Sequence, residues 1–211
     1  FVRYADVLEA RAAAALDPTL GRDLHVRHGI VAEERLEDHA RAARAYAKAV
    51  EQAGDDASLL ASLDRLYVRL GDDKALADIL ERRVAVAPDG AGAEKADLSH
   101  RLALLQLEKF DDANAALGTL RQALEHDPSH AASRASLEGL LSREPLFDEV
   151  VEALEQVYRQ QSDHTALARI YKRKVDHAPL GVERLRARLE LARVLEEQAS
   201  DPNAALDALL E

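Results

Sequence analysis

Three adjacent aspartate pairs are the first residues in this chain that could do chemistry. They are Asp55-Asp56, Asp72-Asp73 and Asp111-Asp112. Two neighbouring carboxylates can serve as general acid and general base when their surroundings separate their pKa values. Each pair, however, stands at or just before the start of a predicted helix, where aspartate accepts hydrogen bonds from free backbone N–H groups. We therefore interpret the pairs as helix caps and expect no catalytic residues among them.

Histidines form two close pairs. His25 and His28 stand three residues apart, with His39 nearby in sequence, and His126 and His130 stand four apart. Two neutral imidazoles one helical turn apart can hold a metal ion, but a site needs a third ligand and a way to exclude water. We expect these histidines to lie on the surface and predict no metal site.

Motifs with a known catalytic mechanism are missing from the sequence. It contains no GxxxxGK, GxSxG, HExxH or GxGxxG pattern. The segment 90–92 has two glycines but neither a preceding strand nor a third glycine, so it is predicted to be a loop. The chain also has no cysteine, which excludes disulfide and zinc-thiolate chemistry. The sequence predicts a protein that is not an enzyme and has no cofactor.

Composition narrows the class of protein further. Hydrophobic residues make up 47% of the 211 residues, charged residues 32% and aromatic residues 4%, as in a soluble folded protein whose core is filled by Ala, Leu, Val and Ile. The net charge of −11 argues against nucleic-acid binding. No apolar run approaches the ~20 residues that a membrane span needs. We expect a cytoplasmic protein that neither binds nucleic acid nor inserts into a membrane.

Two further details concern the origin of the chain. It has no methionine, and Phe1 stands just before a predicted helix while Glu211 falls inside one. The simplest interpretation is a fragment of a longer protein. Only six of the 28 basic residues are lysine, which indicates a GC-rich bacterial genome.

The chain repeats itself. The segments 58–88 and 149–179 are identical at 11 of 31 aligned positions, whereas about a tenth would match by chance. A partial third copy opens the chain, since residues 5–9 and Arg11 match residues 77–81 and Arg83. Such self-similarity is typical of a repeat architecture.

Every long segment has helical periodicity, and none has the alternation of a strand. The pattern predicts twelve helices joined by short polar turns, with neighbours packed as antiparallel hairpins. Residues 89–94 form the one flexible connection. The predicted helices cover about Tyr4–Leu16, Arg22–Leu36, Asp38–Ala53, Ala57–Leu70, Asp72–Ala87, Lys95–Phe110, Asp112–His126, Ser129–Ser142, Phe147–Gln161, Asp163–His177, Val182–Ala199 and Asp201 onward, the last opened by Asp201-Pro202.

The segment 57–88 resembles a tetratricopeptide repeat, a helix-turn-helix unit of 34 residues. Leu63 and Tyr67 stand where that pattern has its helix-A leucine and tyrosine, Gly71-Asp72 stands at the turn, and Pro88 stands at the end. Three residues depart from it: Asp64 takes a glycine position, and Leu76 and Arg83 replace small residues of helix B. Two further segments, 97–128 and 23–54, fit the same pattern.

The resemblance implies an all-α fold, a right-handed α-solenoid of about six antiparallel helix pairs. It covers the chain as a single repeat array, 1–211, with an irregularity near Pro145. The approximate units are 23–56, 57–90, 97–130, 131–161 and 163–211. One hairpin cannot bury its own apolar face, so successive hairpins stack and share a core. A related helical-repeat family without the strict 34-residue register is the alternative.

The resemblance also implies a binding surface, because in this family helix A lines a concave groove. The matching basic positions here are Arg27, Arg35, Arg65, Arg69, Arg101 and Lys109. Arg143 and Arg159 extend this row, and Glu34, Glu108, Glu149 and Glu152 interrupt it. Arginine binds carboxylate through two parallel hydrogen bonds, so we predict a scaffold that binds an acidic or carboxylate-ended peptide or protein. The alternative is a solvated surface held by local ion pairs.

Two rival functions remain at this stage. The chain could be a regulatory repeat segment of a larger enzyme whose catalytic domain lies outside it. It could also be a structural module that associates with itself through an acidic face or through its ends.

Overall fold

The computed structural model describes residues 1–197 and 202–210, and within them every regular element is helical. The predicted all-α fold is therefore confirmed for the described part of the chain. The chain divides into two compact units, Phe1–Asp112 and Ala113–Glu211, here called unit 1 and unit 2. Unit 1 contains α1 Val2–Ala13, α2 Pro18–Leu36, α3 His39–Ala53, α4 Ala57–Leu70, α5 Asp73–Val86 and α6 Gly92–Glu108.

Aspartates begin most helices of unit 1. The Asp17 carboxylate accepts a hydrogen bond from the Thr19 backbone N–H at 2.9 Å, and Pro18 follows at the first helical position. Asp38 and Asp72 cap α3 and α5 in the same way. At the other end of α4, Gly71 adopts φ 65°, the left-handed conformation that glycine accepts without strain. These caps keep the turns short, so each helix packs against the next one in the chain.

The core of unit 1 is a seam of aliphatic side chains between consecutive helices. Alanines let α2 and α3 approach closely: Ala32, Ala42 and Ala49 are fully buried. Gly29 of α2 faces the ring of Tyr46 on α3. One cluster joins α2, α3, α4 and α5 through Ala32, Ala42, Ala43, Tyr46, Ala49, Val50, Leu59, Leu60, Leu63, Leu66 and Ile79. This cluster extends over more than one hairpin, as expected for stacked repeats.

Unit 2 contains α7 Ala113–His126, α8 Ala131–Gly139, α9 Phe147–Gln160, α10 His164–His177, α11 Val182–Glu197 and α12 Pro202–Leu210. Two 3₁₀ turns, Leu140–Ser142 and Glu144–Leu146, stand between α8 and α9, where the sequence predicts an irregularity near Pro145. Tyr158 of α9 is fully buried, and its hydroxyl donates a hydrogen bond to Glu138 of α8. Tyr158 is therefore part of the core of unit 2.

Several helix boundaries differ from the prediction. Helix α2 begins at Pro18 rather than Arg22 because Asp17 caps it. Helix α6 begins at Gly92, inside the predicted loop 89–94, and α8 ends at Gly139 because the chain tightens into 3₁₀ turns. The predicted cap Asp201 lies outside the described residues. Within them, no helix is long and apolar enough to cross a membrane.

Candidate functional site

The six basic residues predicted to bind a partner all lie in unit 1, on or directly after alternate helices. Arg27 and Arg35 are on α2, Arg65 and Arg69 on α4, and Arg101 on α6, while Lys109 directly follows α6. We call these six residues the basic row. All except Arg101 are exposed. Arg143, Arg159, Glu34, Glu108, Glu149 and Glu152, predicted to extend or interrupt the row, are exposed as well.

Several members of the basic row already touch a neighbouring side chain. The Arg65 guanidinium pairs with Glu33 of α2 at 2.7 Å, and Arg69 Nη1 lies 3.2 Å from His39 Nε2. Exposed pairs of this kind contribute about 0–1 kcal/mol. A carboxylate from a partner can therefore replace the internal contact at little cost, and the exposed guanidiniums remain usable for binding.

Arg101 is different, because it binds a buried carboxylate inside unit 1. Asp64 of α4 is only 4% exposed. Arg101 reaches it through two hydrogen bonds, Nη1 to Oδ2 at 2.8 Å and Nη2 to Oδ1 at 2.6 Å, and Arg83 of α5 donates a further bond to Oδ2. The three charges tie α4, α5 and α6 together.

The pKa values in this cluster follow from those contacts. Burial alone would raise the pKa of Asp64, but hydrogen bonds and charge from Arg101 and Arg83 outweigh it and hold the pKa below its usual value. The hydrogen bond to Asp64 raises the pKa of Arg101. Asp64 and Arg101 are therefore charged at neutral pH, and their contacts, with that of Arg83, hold α4, α5 and α6 together.

Sequence reasoning missed this cluster although its signal was present. Asp64 and Arg83 are two of the three residues that depart from the tetratricopeptide pattern. Both stand where the pattern has a small residue, and they carry opposite charges. Two charged departures of opposite sign in facing helices predict an ion pair, since a buried charge needs a partner.

The second copy of the repeat carries a related cluster with other contacts. Glu155 stands at the position of the buried aspartate, where it accepts a hydrogen bond from the Tyr171 hydroxyl at 2.6 Å and pairs with Arg159 at 2.5 Å. Lys174 pairs instead with Glu190 of α11 at 2.8 Å. These side chains line a cavity of about 360 Å³. Burial, followed by Glu155, raises the pKa of Tyr171, so the cavity presents a neutral phenol.

The expectation of surface histidines is wrong for His25 and His28, each only 2% exposed. Charged residues of α1 and α3 lie near them, namely Glu9, Arg41, Lys48 and Glu51. Arg41 Nε donates a hydrogen bond to His28 Nε2 at 2.8 Å, and Arg41 also binds Asp6 and Glu9 of α1. Burial, with Arg41 as the next cause, lowers the pKa of His28, and burial with Lys48 lowers that of His25.

The histidines of the second pair have other surroundings. His126 is exposed, and His130 Nδ1 accepts a hydrogen bond from the Ser133 backbone N–H at the start of α8. Within the described residues, no group of three or more His, Asp or Glu side chains could hold a metal ion.

Two of the acidic pairs cap helices, as the sequence predicts. Asp56 accepts hydrogen bonds from the Ser58 and Leu59 backbone N–H groups at 3.0 and 3.1 Å, and Asp72 accepts one from Ala75 at 3.1 Å. The hydrogen bond from the Ser58 hydroxyl and those from the backbone lower the pKa of Asp56. A carboxylate stabilised in this way is a poor proton acceptor, which favours the capping role over acid–base chemistry.

Comparison with known proteins gives structural likeness only. No protein-family model matches the sequence, and no curated protein matches it. A crystal structure of the MamA protein is similar, with TM-score 0.39 and 16% identity over 90% of this chain and 88% of that one. YrrB, a TPR protein with an unusual peptide-binding site, gives TM-score 0.43 and 21% identity over 89% and 91%. A tetratricopeptide repeat protein from Parabacteroides merdae ATCC 43184 gives 0.43 and 14% over 99% and 91%.

Proposed function

We propose that this chain is a non-catalytic scaffold that binds an acidic or carboxylate-ended peptide on the basic row of unit 1. The observation that carries the proposal is the exposure of five basic side chains, four of them on α2 and α4 and the fifth, Lys109, directly after α6, in a protein whose net charge is −11. Basic side chains gathered on one unit of an acidic protein form a local attractive field for anions.

The spacing of the arginines suits an extended peptide. Arg65 and Arg69 stand one helical turn apart, about 6 Å along α4. Alternate residues of an extended chain lie about 6.6 Å apart and point to the same side. Two acidic residues separated by one position can therefore each meet a guanidinium, and each contact can be a charge-assisted hydrogen bond.

Arg101 contributes to this surface indirectly. Its guanidinium is committed to Asp64, and a partner carboxylate would have to compete with a buried one. We therefore assign the binding energy to Arg35, Arg65 and Arg69, and assign Arg101 to positioning α6 against α4. Reversing Arg101 would place a glutamate beside a buried aspartate and unfold the surface it was meant to test.

The test is selection of peptides from a random 12-residue display library on the full chain, followed by affinity measurement with labelled synthetic peptides. We expect the selected peptides to be rich in Asp and Glu. Arg35→Glu/Arg69→Glu should weaken their affinity at least about tenfold.

The control is Arg173→Glu/Arg186→Glu, which makes the same charge change at exposed positions of unit 2. It should leave the affinity within about twofold. Peptides without acidic residues, or equal loss of affinity in both double variants, would contradict binding at the basic row.

Self-association is the second candidate function, because unit 2 exposes a set of leucines. They lie on α11 and α12 and are Leu185, Leu189, Leu206, Leu209 and Leu210. Large exposed apolar patches are typical of interfaces. Sedimentation equilibrium of the chain, with Leu189→Lys and Leu206→Lys as monomerising variants, tests this candidate. A concentration-independent monomer would exclude it.

A further inference from the structure

The hairpin formed by α1 and α2 corresponds in sequence to the one formed by α5 and α6. Residues 5–9 match residues 77–81, and both α2 and α6 follow after a short turn. The equivalent leucines are buried in both copies, Leu8 with Leu24 in the first and Leu80 with Leu98 in the second. Each copy therefore packs its second helix against the same side of its first helix.

Two positions of the first helix differ in exposure between the copies. Leu76 and Ile79 of α5 are 6% and 3% exposed, whereas the equivalent Tyr4 and Val7 of α1 are 52% and 54% exposed. In α5 both positions are covered in part by α4, and Leu76 also packs with Leu80 and the leucines of α6. Ile79 shares a cluster with the leucines of α4, and Tyr67 of α4 packs against the cluster that contains Leu76.

The charges show the same difference. Arg83 and Arg101 both bind Asp64, a residue of the covering helix α4. Their equivalents in the first copy are Arg11 of α1 and Arg27 of α2, and both are exposed. Among the described residues, neither of these two arginines has a carboxylate partner.

We propose that Tyr4, Val7, Arg11 and Arg27, here called the open face, bind an amphipathic α-helix of a partner protein. The apolar stripe of that helix covers Tyr4 and Val7, and an aspartate next to the stripe is held by Arg11 and Arg27. The partner helix thus takes the place relative to α1 and α2 that α4 takes relative to α5 and α6.

The geometry of α4 defines the chemistry of the partner. Its buried leucines are Leu59, Leu60, Leu63 and Leu66, and the acid that binds both arginines directly follows Leu63. A helix with leucines at these spacings and an acid at this position satisfies the apolar and the charged part of the open face together. A neutral or basic helix would leave the two guanidiniums facing an apolar contact, which is costly. This inference goes beyond the proposed function, because it concerns a folded helix on α1 rather than an acidic peptide on the basic row.

The probe is a labelled synthetic peptide of residues 56–70, the sequence of α4 with its cap. Isolated helices of this length are marginal in water, so the peptide is locked by a lactam between Ala61→Lys and Arg65→Glu, two positions exposed in α4. We expect it to bind the full chain in fluorescence anisotropy. Asp64→Lys in the peptide, or Arg11→Glu/Arg27→Glu in the protein, should each weaken binding at least about tenfold. Combining the two charge reversals should restore most of the affinity, which general unfolding would not do.

Three further variants decide the outcome. Val7→Asp should abolish binding while leaving the circular dichroism spectrum unchanged, because Val7 is already exposed. Arg44→Glu/Arg173→Glu makes the same charge change at exposed positions elsewhere and should have no effect. Arg35→Glu/Arg69→Glu should also leave helix binding intact, which separates this proposal from the proposed function. Lack of peptide binding, no rescue by the double charge reversal, or a chain dimer that Val7→Asp makes monomeric would overturn the proposal.

Discussion

Asp64 shows how a single charged residue is tolerated inside a stack of apolar helices. Removing a carboxylate from water costs several kcal/mol unless charges and hydrogen bonds replace the water. Arg83 and Arg101 supply both, and each remains partly exposed, so their own desolvation is incomplete. The pair of arginines therefore stabilises the cluster relative to an unpaired aspartate, although an apolar residue could fill the same site.

The first prediction follows from the difference in stability between a buried aspartate that is paired and one that is not. Arg83→Met/Arg101→Met leaves Asp64 buried without a partner and should lower the free energy of unfolding by about 2 kcal/mol, discounted for the exposure of Arg101. Adding Asp64→Ala to this double variant removes the stranded charge and should recover more than half of the loss. Urea unfolding midpoints with their m-values measure both effects. A triple variant less stable than the double one would contradict this account.

The second prediction concerns pH and the two buried histidines. Burial lowers the pKa of His25 and His28 below 6.5, so the unfolded chain binds protons first as pH falls. Their contribution to stability is complete above pH 6.5 and is lost as pH falls below it. The facing charges are Glu9, Arg41, Lys48 and Glu51.

The variant His25→Ser/His28→Leu tests this effect, because Ser99 and Leu102 stand at the same places in α6 and are buried there. We expect urea midpoints to fall from pH 7.5 to pH 5.5 in the parent chain and to stay nearly constant in the variant. Asp64 does not interfere. Its pKa lies below the usual 3.8, so its contribution is lost only as pH falls below that value. A parallel loss in both proteins would refute the role of the histidines.

At the scale of elements, substitution by alanine should have opposite effects on stability at two glycines in helix interiors. A Cβ at Gly29 of α2 would lie 2.6 Å from Cδ1 of the buried Tyr46 ring, whereas a Cβ at Gly118 of α7 meets nothing within 4 Å. By helix propensity alone, replacing glycine with alanine stabilises the folded state by about 1 kcal/mol at either site. At Gly29 the clash costs about 1–3 kcal/mol. The third prediction is that Gly29→Ala lowers the unfolding midpoint and Gly118→Ala raises it, and a rise in both would show that the ring can move aside.

The sequence predicted helix boundaries well where local capping residues determine them. Helix α4 has the predicted bounds Ala57–Leu70 because a strong cap begins it and a left-handed glycine ends it. The start of α2 was missed because Asp17-Pro18 was interpreted as the end of the first helix, although aspartate followed by proline is also a start signal. The shortening of α8 depends on packing around residues 140–146, which no local pattern records.

The predicted binding surface stays a prediction, and the sequence could give the positions of its residues but not their contacts. Register within the repeat places the six basic residues on or directly after alternate helices of unit 1. The register does not show which of these residues already has a partner inside the protein, because Arg101 binds Asp64, a residue 37 positions away in the sequence. The burial of His25 and His28 was missed because histidine at helical spacing looks the same on a buried and on an exposed side.

At the scale of the whole molecule, the net charge of −11 and the basic row act on an acidic ligand in opposite directions. The net charge repels the ligand over a distance set by the Debye length, about 30 Å at 0.01 M salt and about 8 Å at 0.15 M. The exposed guanidiniums attract it at contact distance. Moderate salt therefore screens the repulsion before it weakens the contacts.

The fourth prediction is that the association rate of a selected acidic peptide rises between 0.01 and 0.15 M salt and that its affinity falls again near 1 M, where the Debye length is about 3 Å. Stopped-flow mixing with a labelled peptide measures the rate. The rise should persist in Arg35→Glu/Arg69→Glu, because the net charge of that variant is still more negative, while its dissociation is faster at every salt concentration. A rate that falls steadily from the lowest salt would mean that the local field of the arginines extends well beyond contact and dominates the approach of the ligand.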